Sequence, residues 1–522
     1  MNRPAVRRYL YFAVFASGMT TLAVELSASR LLGNVFGTSN LVWASIIGLI
    51  LIYLTAGYFL GGRWADRSPN PRTLYTIMAW GAFLIGVAAV VAAPVLRLAA
   101  DAFDQLQLGI LFGSFAGVLI LFSLPVTLLG TISPFAVRLA IDDAEHAGTV
   151  SGRIYAISTL GSFIGTFLPV LVFIPTIGTT RTFLTFSLFL SLVAIVGMGF
   201  TVSWKKAFTW AWMPVLIIIF ALSGWRAGIK TTTGQIYESE SAYNYIQVIE
   251  RDGYRYLRLN EGQGVHSAYH PTEAMIYGPW LEFLAAPFFN PPPFSPRPVD
   301  SLAIVGLAAG TTARLATAAF GPIPIDGYEI DPEIIEVGRE YFDMNLPNLN
   351  AHAQDGRWGL EHSPRRYSMI AVDAYRPPYI PWHLTTREFF ANAKDRLQED
   401  GVLAINVGRA PDDRRLVDAM TSTLLAVFPT VHLTDVPGTY NTIIYATNQP
   451  TLPEYLHHNL LNLFQEAETS PVLLEALKIA ALNLQPVPAS ATVFTDDLAP
   501  VEWITNDMVL RFLLFGDLEA VQ

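Results

Sequence analysis

The sequence predicts a chain in two parts: an α-helical multi-span membrane domain and a doubly wound α/β domain, with a small β-sheet between them. Three observations carry that reading. Of the 522 residues, 52% are hydrophobic and 15% charged. That is too apolar for a wholly soluble protein of this size, and the excess lies almost entirely before Gly224. Seven runs in that half, near 9–29, 41–62, 74–96, 109–130, 154–176, 182–201 and 208–224, are long enough to cross a bilayer. From Ser301 the chain instead alternates short apolar strands with helices. The expected boundaries are 1–228 for the membrane domain, 229–300 for the small sheet, 301–450 for the α/β domain and 451–522 for a helical extension with an acidic turn.

Small residues recur in the fifth apolar run, at Ser158, Gly161, Ser162, Gly165 and Thr166, as helices that approach closely in lipid require. Glu25 falls inside the first run, with Arg30 just beyond it. A carboxylate in hydrocarbon is costly, so it is either functional or held by an internal salt bridge or hydrogen bond. Residues 57–67, GYFLGGRWADR, resemble the short basic turn between spans of major-facilitator transporters. Lys and Arg favour the N-terminal tail (Arg3, Arg7, Arg8) and alternate loops (Arg63, Arg67, Arg72, then Lys205, Lys206), which places the N-terminus in the cytoplasm. Seven spans would then leave the second half outside, where nucleotide cofactors are scarce. The cofactor argument takes precedence: the expectation is an integral protein of the inner or plasma membrane with its soluble domain cytoplasmic.

Composition removes several functions. There is no cysteine, which excludes disulfides, Cys-ligated zinc and thiol catalysis. The net charge of −10 argues against a nucleic-acid partner. His352, His362 and His383 show no metal spacing and read as surface or loop groups, so no metal is expected. Residues 237–259, YESESAYNYIQVIERDGYRYLRL, alternate as strands do, with Asp252-Gly253 marking a hairpin. A helix is expected over 272–286, ended by the proline cluster 291–298.

The α/β domain is organised around 301–331, SLAIVGLAAGTTARLATAAFGPIPIDGYEID. A strand at 301–305 leads to Gly306 and Gly310, which let the backbone turn sharply and approach a ligand. A helix at 311–320 and a strand at 325–329 follow. Glu329 lies 23 residues beyond Gly306 (306 to 329), about the spacing at which an acid meets a ribose in a nucleotide-binding βαβ unit. The pattern is GLAAG, not GxGxxG, so a dinucleotide is not favoured. Asp355 in AHAQDGR and Asp373 in YSMIAVDAYRPP close the next strands, and helix 386–397, the turn Asp400-Gly401 and strand 402–407 continue the alternation. Ligands are expected at the carboxyl ends of the strands, where Glu329, Asp355 and Asp373 would converge.

Six segments, SAYNYIQVIE, LRLNEGQGVHS, VGLAAG, YEID, AQDGR and VDAYRPPYIPWHLTTREFF, make residues 237–448 resemble the spermidine synthase family of aminopropyltransferases, here fused to a membrane domain. The resemblance implies a Rossmann-like core of the S-adenosylmethionine methyltransferase type. It also implies transfer of an aminopropyl group from decarboxylated S-adenosylmethionine to a di- or polyamine. Glu329 would hold the ribose and Asp355 the adenine amino group, with Gly356 giving it room; Gly306, Gly310 and Asp331 complete the nucleoside side. Asp373 would be the catalytic acid. An aliphatic ammonium titrates near ~10.4, so a carboxylate must orient the amine and take its proton as nitrogen attacks. Asn244, Gln263, His266, Tyr375 and Tyr440 fall on the substrate side. The amine side departs from the family. Ala309 stands where the GGGDG turn carries an acid, Gly278 and Pro279 where a YHE segment has His and Glu, and Asn244 and His266 where it has glutamines.

Residues 451–485 are expected to be mainly helical. Beyond them VFTDDLAPVEW, 493–503, sets Asp496, Asp497 and Glu502 among Phe494 and Trp503. An unpaired ammonium in a partly dry cleft is costly, so Asp496 and Asp497 are expected to line the acceptor pocket beside Asp373; an exposed loop is the alternative. Two rival functions remain. One is an S-adenosylmethionine-dependent methyltransferase, favoured by the missing acid at Ala309. The other is a transporter or sensor that binds a nucleoside or polyamine, suggested by the membrane half and Glu25. The expected partners are a small-molecule amine and the lipid bilayer, with a homodimer as a candidate assembly.

Overall fold

The computed structural model describes residues 4–36, 40–105, 109–141, 145–223, 232–260, 264–375, 379–466, 469–488 and 492–515. The chain divides into two compact units, 1–231 with 240–245, and 232–239 with 246–522.

The first unit is helical. Among the described residues, seven helices are long and apolar enough to cross a membrane: Pro4–Gly33, Val42–Arg67, Pro71–Ala92, Phe115–Ala140, Ala147–Ile177, Thr179–Thr201 and Trp204–Leu222. The small-residue stripe is a packing seam. A Cβ on Gly161 would lie 2.1 Å from the carbonyl oxygen of Phe15, and one on Gly165 would lie 2.0 Å from that of Met19. Ser162 Oγ donates to the Gly18 carbonyl at 3.2 Å. Residues 57–67 do not turn; they finish the helix Asn40–Arg67. Gly57 and Gly61 are there for helix contact: a Cβ on either would come within 2.8 Å of the backbone of Gly130 or Thr131. Glu25 is half-buried and forms no ion pair with a described residue. Arg30 donates to the carbonyls of Ser241 (2.6 Å) and Tyr243 (3.0 Å), and Glu240 accepts from the N–H and hydroxyl of Thr179, both at 2.7 Å. These bonds attach 240–245 to the helices.

The small sheet runs in the order β1 (Gln235–Glu240), β2 (Tyr245–Arg251), β3 (Tyr254–Leu259), β4 (Val265–Tyr269). Asp252 (φ 54°) and Gly253 (φ 83°) form the expected hairpin, both in the left-handed region that a two-residue turn needs to match strand twist. Ile246, Val248, Leu257 and Leu259 pack on Ala309, Ile334, Val337 and Phe342.

The large sheet holds β5 (Leu302–Val305), β6 (Ile325–Glu329), β7 (Leu349–Ala353), β8 (Tyr367–Val372), β9 (Leu397–Gly408), β10 (Thr430–Asp435), β11 (Asn441–Thr447) and β12 (Leu484–Gln485), in the order β12-β10-β11-β9-β8-β5-β6-β7. β5 to β9 are parallel, and β10 and β11 join antiparallel, so the sheet is mixed. The chain moves outward from β5 through β6 to β7, then returns to β8 on the other side of β5. The switch point between β5 and β8 is where an open α/β sheet binds ligands.

Local expectations hold where the signal is local. Thr311–Phe320 is helical, and Arg387–Asp395 is a helix whose N-cap, Thr386, accepts from the Phe389 N–H at 3.2 Å. Glu454–Leu463 and Pro471–Leu482 supply the helical extension. Two expectations are corrected. Asp400-Gly401 does not end a strand: β9 runs through it, with a register shift opposite β8. The helix over 272–286 shrinks to Pro279–Glu282 followed by a tighter 3₁₀ turn, Phe283–Phe289. Gly278 sits at φ 126°, and prolines at 279 and 287 lack the N–H that a continuous helix requires.

Candidate active site

The site forms at the carboxyl ends of β5, β6 and β8. Gly306 (φ 90°) and Gly310 (φ 80°) make the turn after β5. A Cβ on Gly306 would lie 2.6 Å from the backbone of Ala374, and one on Gly310 would lie 2.7 Å from the Met344 side chain. Their freedom therefore serves close packing within the protein. The turn's donors are also used internally. Gly306 and Leu307 N–H bond the Tyr328 carbonyl, Ala308 N–H bonds Glu329 Oε2 (3.0 Å), Ala309 N–H bonds Ser267 Oγ (3.0 Å) and Gly310 N–H bonds the Leu307 carbonyl. This turn is not an anion cradle of the kind that binds phosphate.

Glu329, 8% exposed, accepts the N–H of Ala308 on one oxygen and that of Asp331 (3.1 Å) on the other. Burial raises its carboxyl to about 7. With the Ile330 N–H as a further donor, the carboxylate still has acceptor capacity among its roughly four lone-pair sites, which suits it to a ribose hydroxyl. Asp331 is wholly buried and caps the helix Pro332–Tyr341 through the Glu333 N–H (3.1 Å).

Asp355 has its own partners. It caps Gly356–Glu361 by accepting the Trp358 N–H (2.9 Å), and its other oxygen meets His383 Nε2 at 3.0 Å. The His383 hydrogen bond holds its carboxyl below the usual range. A Cβ on Gly356 would lie 2.5 Å from Val305, so that glycine is required by packing on β5. His383, read from sequence as a loop group, is a site neighbour. His352 stacks on Tyr328 and lies 3.5 Å from Asp326, and His362 stacks on Trp358.

Asp373 follows β8. Its Oδ1 accepts the side-chain amide N–H of Asn406 at 2.9 Å, and Trp280 also hydrogen-bonds it. Burial raises this carboxyl to about 7, against the lowering effect of those two donors. Tyr375 donates to the Asn406 carbonyl (3.1 Å), and burial followed by the Asp373 charge raises its hydroxyl pKa. Asn406 and Trp280 were not among the sequence candidates. An asparagine inside the buried apolar run VLAINV was the available signal.

The acidic turn folds back, but not as expected. Phe494 is buried, and its carbonyl accepts the Arg387 N–H (2.9 Å). Asp496 pairs with Arg357 at 2.8 and 2.7 Å and accepts the Thr386 hydroxyl at 2.7 Å. The Arg357 hydrogen bond, first among these, holds its carboxyl down at about 2. A carboxylate so fully satisfied has no need of an ammonium, and its partners lie on the Asp355–His383 side. Asp497 is exposed. Asp496 is thus already paired and Asp497 faces outward, where open carboxylates beside Asp373 were expected. His266 lies on β4 with its imidazole lowered to about 4 by burial, hence neutral, and its Nε2 has no partner among the described residues. Asn244 sits in the 240–245 segment of the first unit, where its N–H bonds Ser241 Oγ (2.8 Å). Tyr440 is exposed between β10 and β11, and Gln263 lies outside the described residues.

No protein-family model matches the chain. A probable polyamine aminopropyl transferase of Bifidobacterium longum is 29% identical over 283 residues, covering 52% of this chain and 62% of that relative's length. A polyamine aminopropyltransferase of Vibrio vulnificus is 28% identical over 295 residues, covering 54% of this chain and 92% of the relative. A solved probable spermidine synthase from Corynebacterium glutamicum aligns with 51% of this chain and 99% of its own length, at 16% identity and a TM-score of 0.38.

Proposed function

We propose, from the premise that the chain carries a spermidine synthase-like core, that it moves an aminopropyl group from decarboxylated S-adenosylmethionine to a di- or polyamine. The observation that supports this best is the pairing of two buried acids around the switch point. Glu329 is suited to a ribose, and Asp373 is poised near neutrality by burial and held by Asn406 and Trp280.

The acceptor ammonium gives one proton to the Asp373 carboxylate. The freed lone pair attacks the propyl carbon bonded to the sulfonium sulfur. That carbon–sulfur bond breaks, its electron pair returns to sulfur, and neutral methylthioadenosine leaves. The new secondary amine keeps its remaining protons and the positive charge. Glu329 holds the ribose hydroxyls, and the Asp355–His383 pair stands at the adenine end. The seven apolar helices anchor the protein in a bilayer, with the transferase unit in the cytoplasm, where the donor is made.

A second reading is methyl transfer. Ala309 is fully buried and offers no carboxylate, so nothing there would repel the amino-acid carboxylate of the methyl donor. Incubating the full chain with 1,4-diaminobutane and each donor in turn separates the two. Methylthioadenosine is expected; S-adenosylhomocysteine would favour methyl transfer, and neither product would overturn both readings.

A further inference from the structure

Beside Asp373 lie two buried acceptor atoms with no donor among the described residues. Strand register fixes their arrangement. Asn406 on β9 pairs with Ile443 on β11, and Ile443 pairs with Thr434 on β10. Directly opposed residues point to the same face, so the three lie in one row. Asn406 and Thr434 are two strand spacings apart, roughly 10 Å.

At one end of the row, Asn406 gives its amide N–H to Asp373. A carboxylate only accepts, so this bond fixes the amide orientation. It leaves Asn406 Oδ1 buried without a donor. At the other end, the Thr434 hydroxyl donates to Glu282 Oε2 at 2.8 Å, and Glu282 Oε1 is buried without a donor. Glu282 is 1% exposed and lies two residues from Trp280, which bonds Asp373. Tyr445 fastens the same turn by donating to the Glu282 carbonyl at 2.9 Å. Burial raises the Glu282 carboxyl to about 7 against the lowering effect of the Thr434 hydrogen bond, and the nearby Asp435 already pairs with Arg414 and Arg409.

Buried acceptors without donors call for an explanation, and a protonated amine carries donors only. We propose that Glu282 is the distal-amine subsite: a diamine places its reacting nitrogen at Asp373, where Asn406 Oδ1 accepts one of that nitrogen's N–H groups, and its second ammonium at Glu282 Oε1. Glu282 thereby supplies the acid that Ala309, Gly278 and Pro279 do not. This rests on the assignment of Asp373 to the acceptor end.

The test is calorimetric titration of the full chain, saturated with methylthioadenosine, with 1,4-diaminobutane and with butylamine. The wild type is expected to bind the diamine at least about tenfold tighter than the monoamine, as a charge-assisted bond warrants. Glu282→Gln keeps the side-chain size and the Thr434 bond, and should abolish that difference while leaving butylamine unchanged. Equal diamine affinity in both proteins, or no preference for the diamine in the wild type, would overturn the subsite. Diamine binding that depends on Glu282 without methylthioadenosine production would keep the subsite and remove the transferase reading. Production with unchanged diamine affinity in the variant would do the reverse.

Discussion

The two sides of Asp373 are built differently. On the proposed donor side, Glu329 is held by backbone N–H groups, and the turn after β5 uses its own donors internally. On the proposed acceptor side, Asp373, Asn406 and Glu282 are linked through side chains of β9, β10 and Pro279–Glu282, and two of their oxygens lack donors among the described residues. On the proposed roles, a nucleoside of constant shape would meet backbone arranged in advance, and an amine would bring the charge that completes its own site.

The sharpest way to break this contrast is Asp373→Asn. The amide cannot take the proton, so turnover should fall at least ~10²–10⁴-fold, the range for general base catalysis, while methylthioadenosine affinity stays close to wild type. Comparable loss of nucleoside binding, read by calorimetry, would mean that Asp373 belongs to both sides.

A smaller effect concerns pH. Burial puts the Asp373 carboxyl at about 7, and the reaction needs it ionised, so kcat/KM should fall as pH drops through that value. The Asn406 N–H favours the charged form. Asn406→Leu removes it and should move the acid limb of the pH–rate profile to higher pH. A limb that stays put or moves lower would show that Asn406 does not act through Asp373.

The smallest effect is expected at the acidic turn. Asp496 pairs with Arg357 at a partly exposed site, and such pairs contribute within about 1 kcal/mol. Asp496→Asn should lower thermal stability slightly and leave the KM for a diamine unchanged. A raised diamine KM would return the turn to the acceptor pocket.

The places of Glu329 and Asp373 at strand ends were legible in the sequence because their signals are local. Glu329 and Asp373 each close a short apolar strand at a turn, and Thr311–Phe320 falls between glycines that mark its ends. The acceptor side was not. Glu282 and Thr434 are 152 residues apart, and Asn406 and Thr434 share a row only through the antiparallel register of β9, β11 and β10, which no periodicity encodes. The same limit misled the reading of Asp496, whose partner Arg357 is 139 residues away. Asp355 illustrates a signal that was present but read too narrowly: an acid opening GRWGLE is also a helix cap.

The most direct test of the contrast is to titrate methylthioadenosine, with no amine present, into full-length wild type, Glu329→Ala, Asp373→Asn and Glu282→Gln. The account predicts that Glu329→Ala weakens binding by roughly 10–100-fold, since charged hydrogen bonds contribute about 1.5–3 kcal/mol, and that both amine-side variants match wild type. Unchanged affinity in Glu329→Ala, or equal weakening in all three variants, would contradict it.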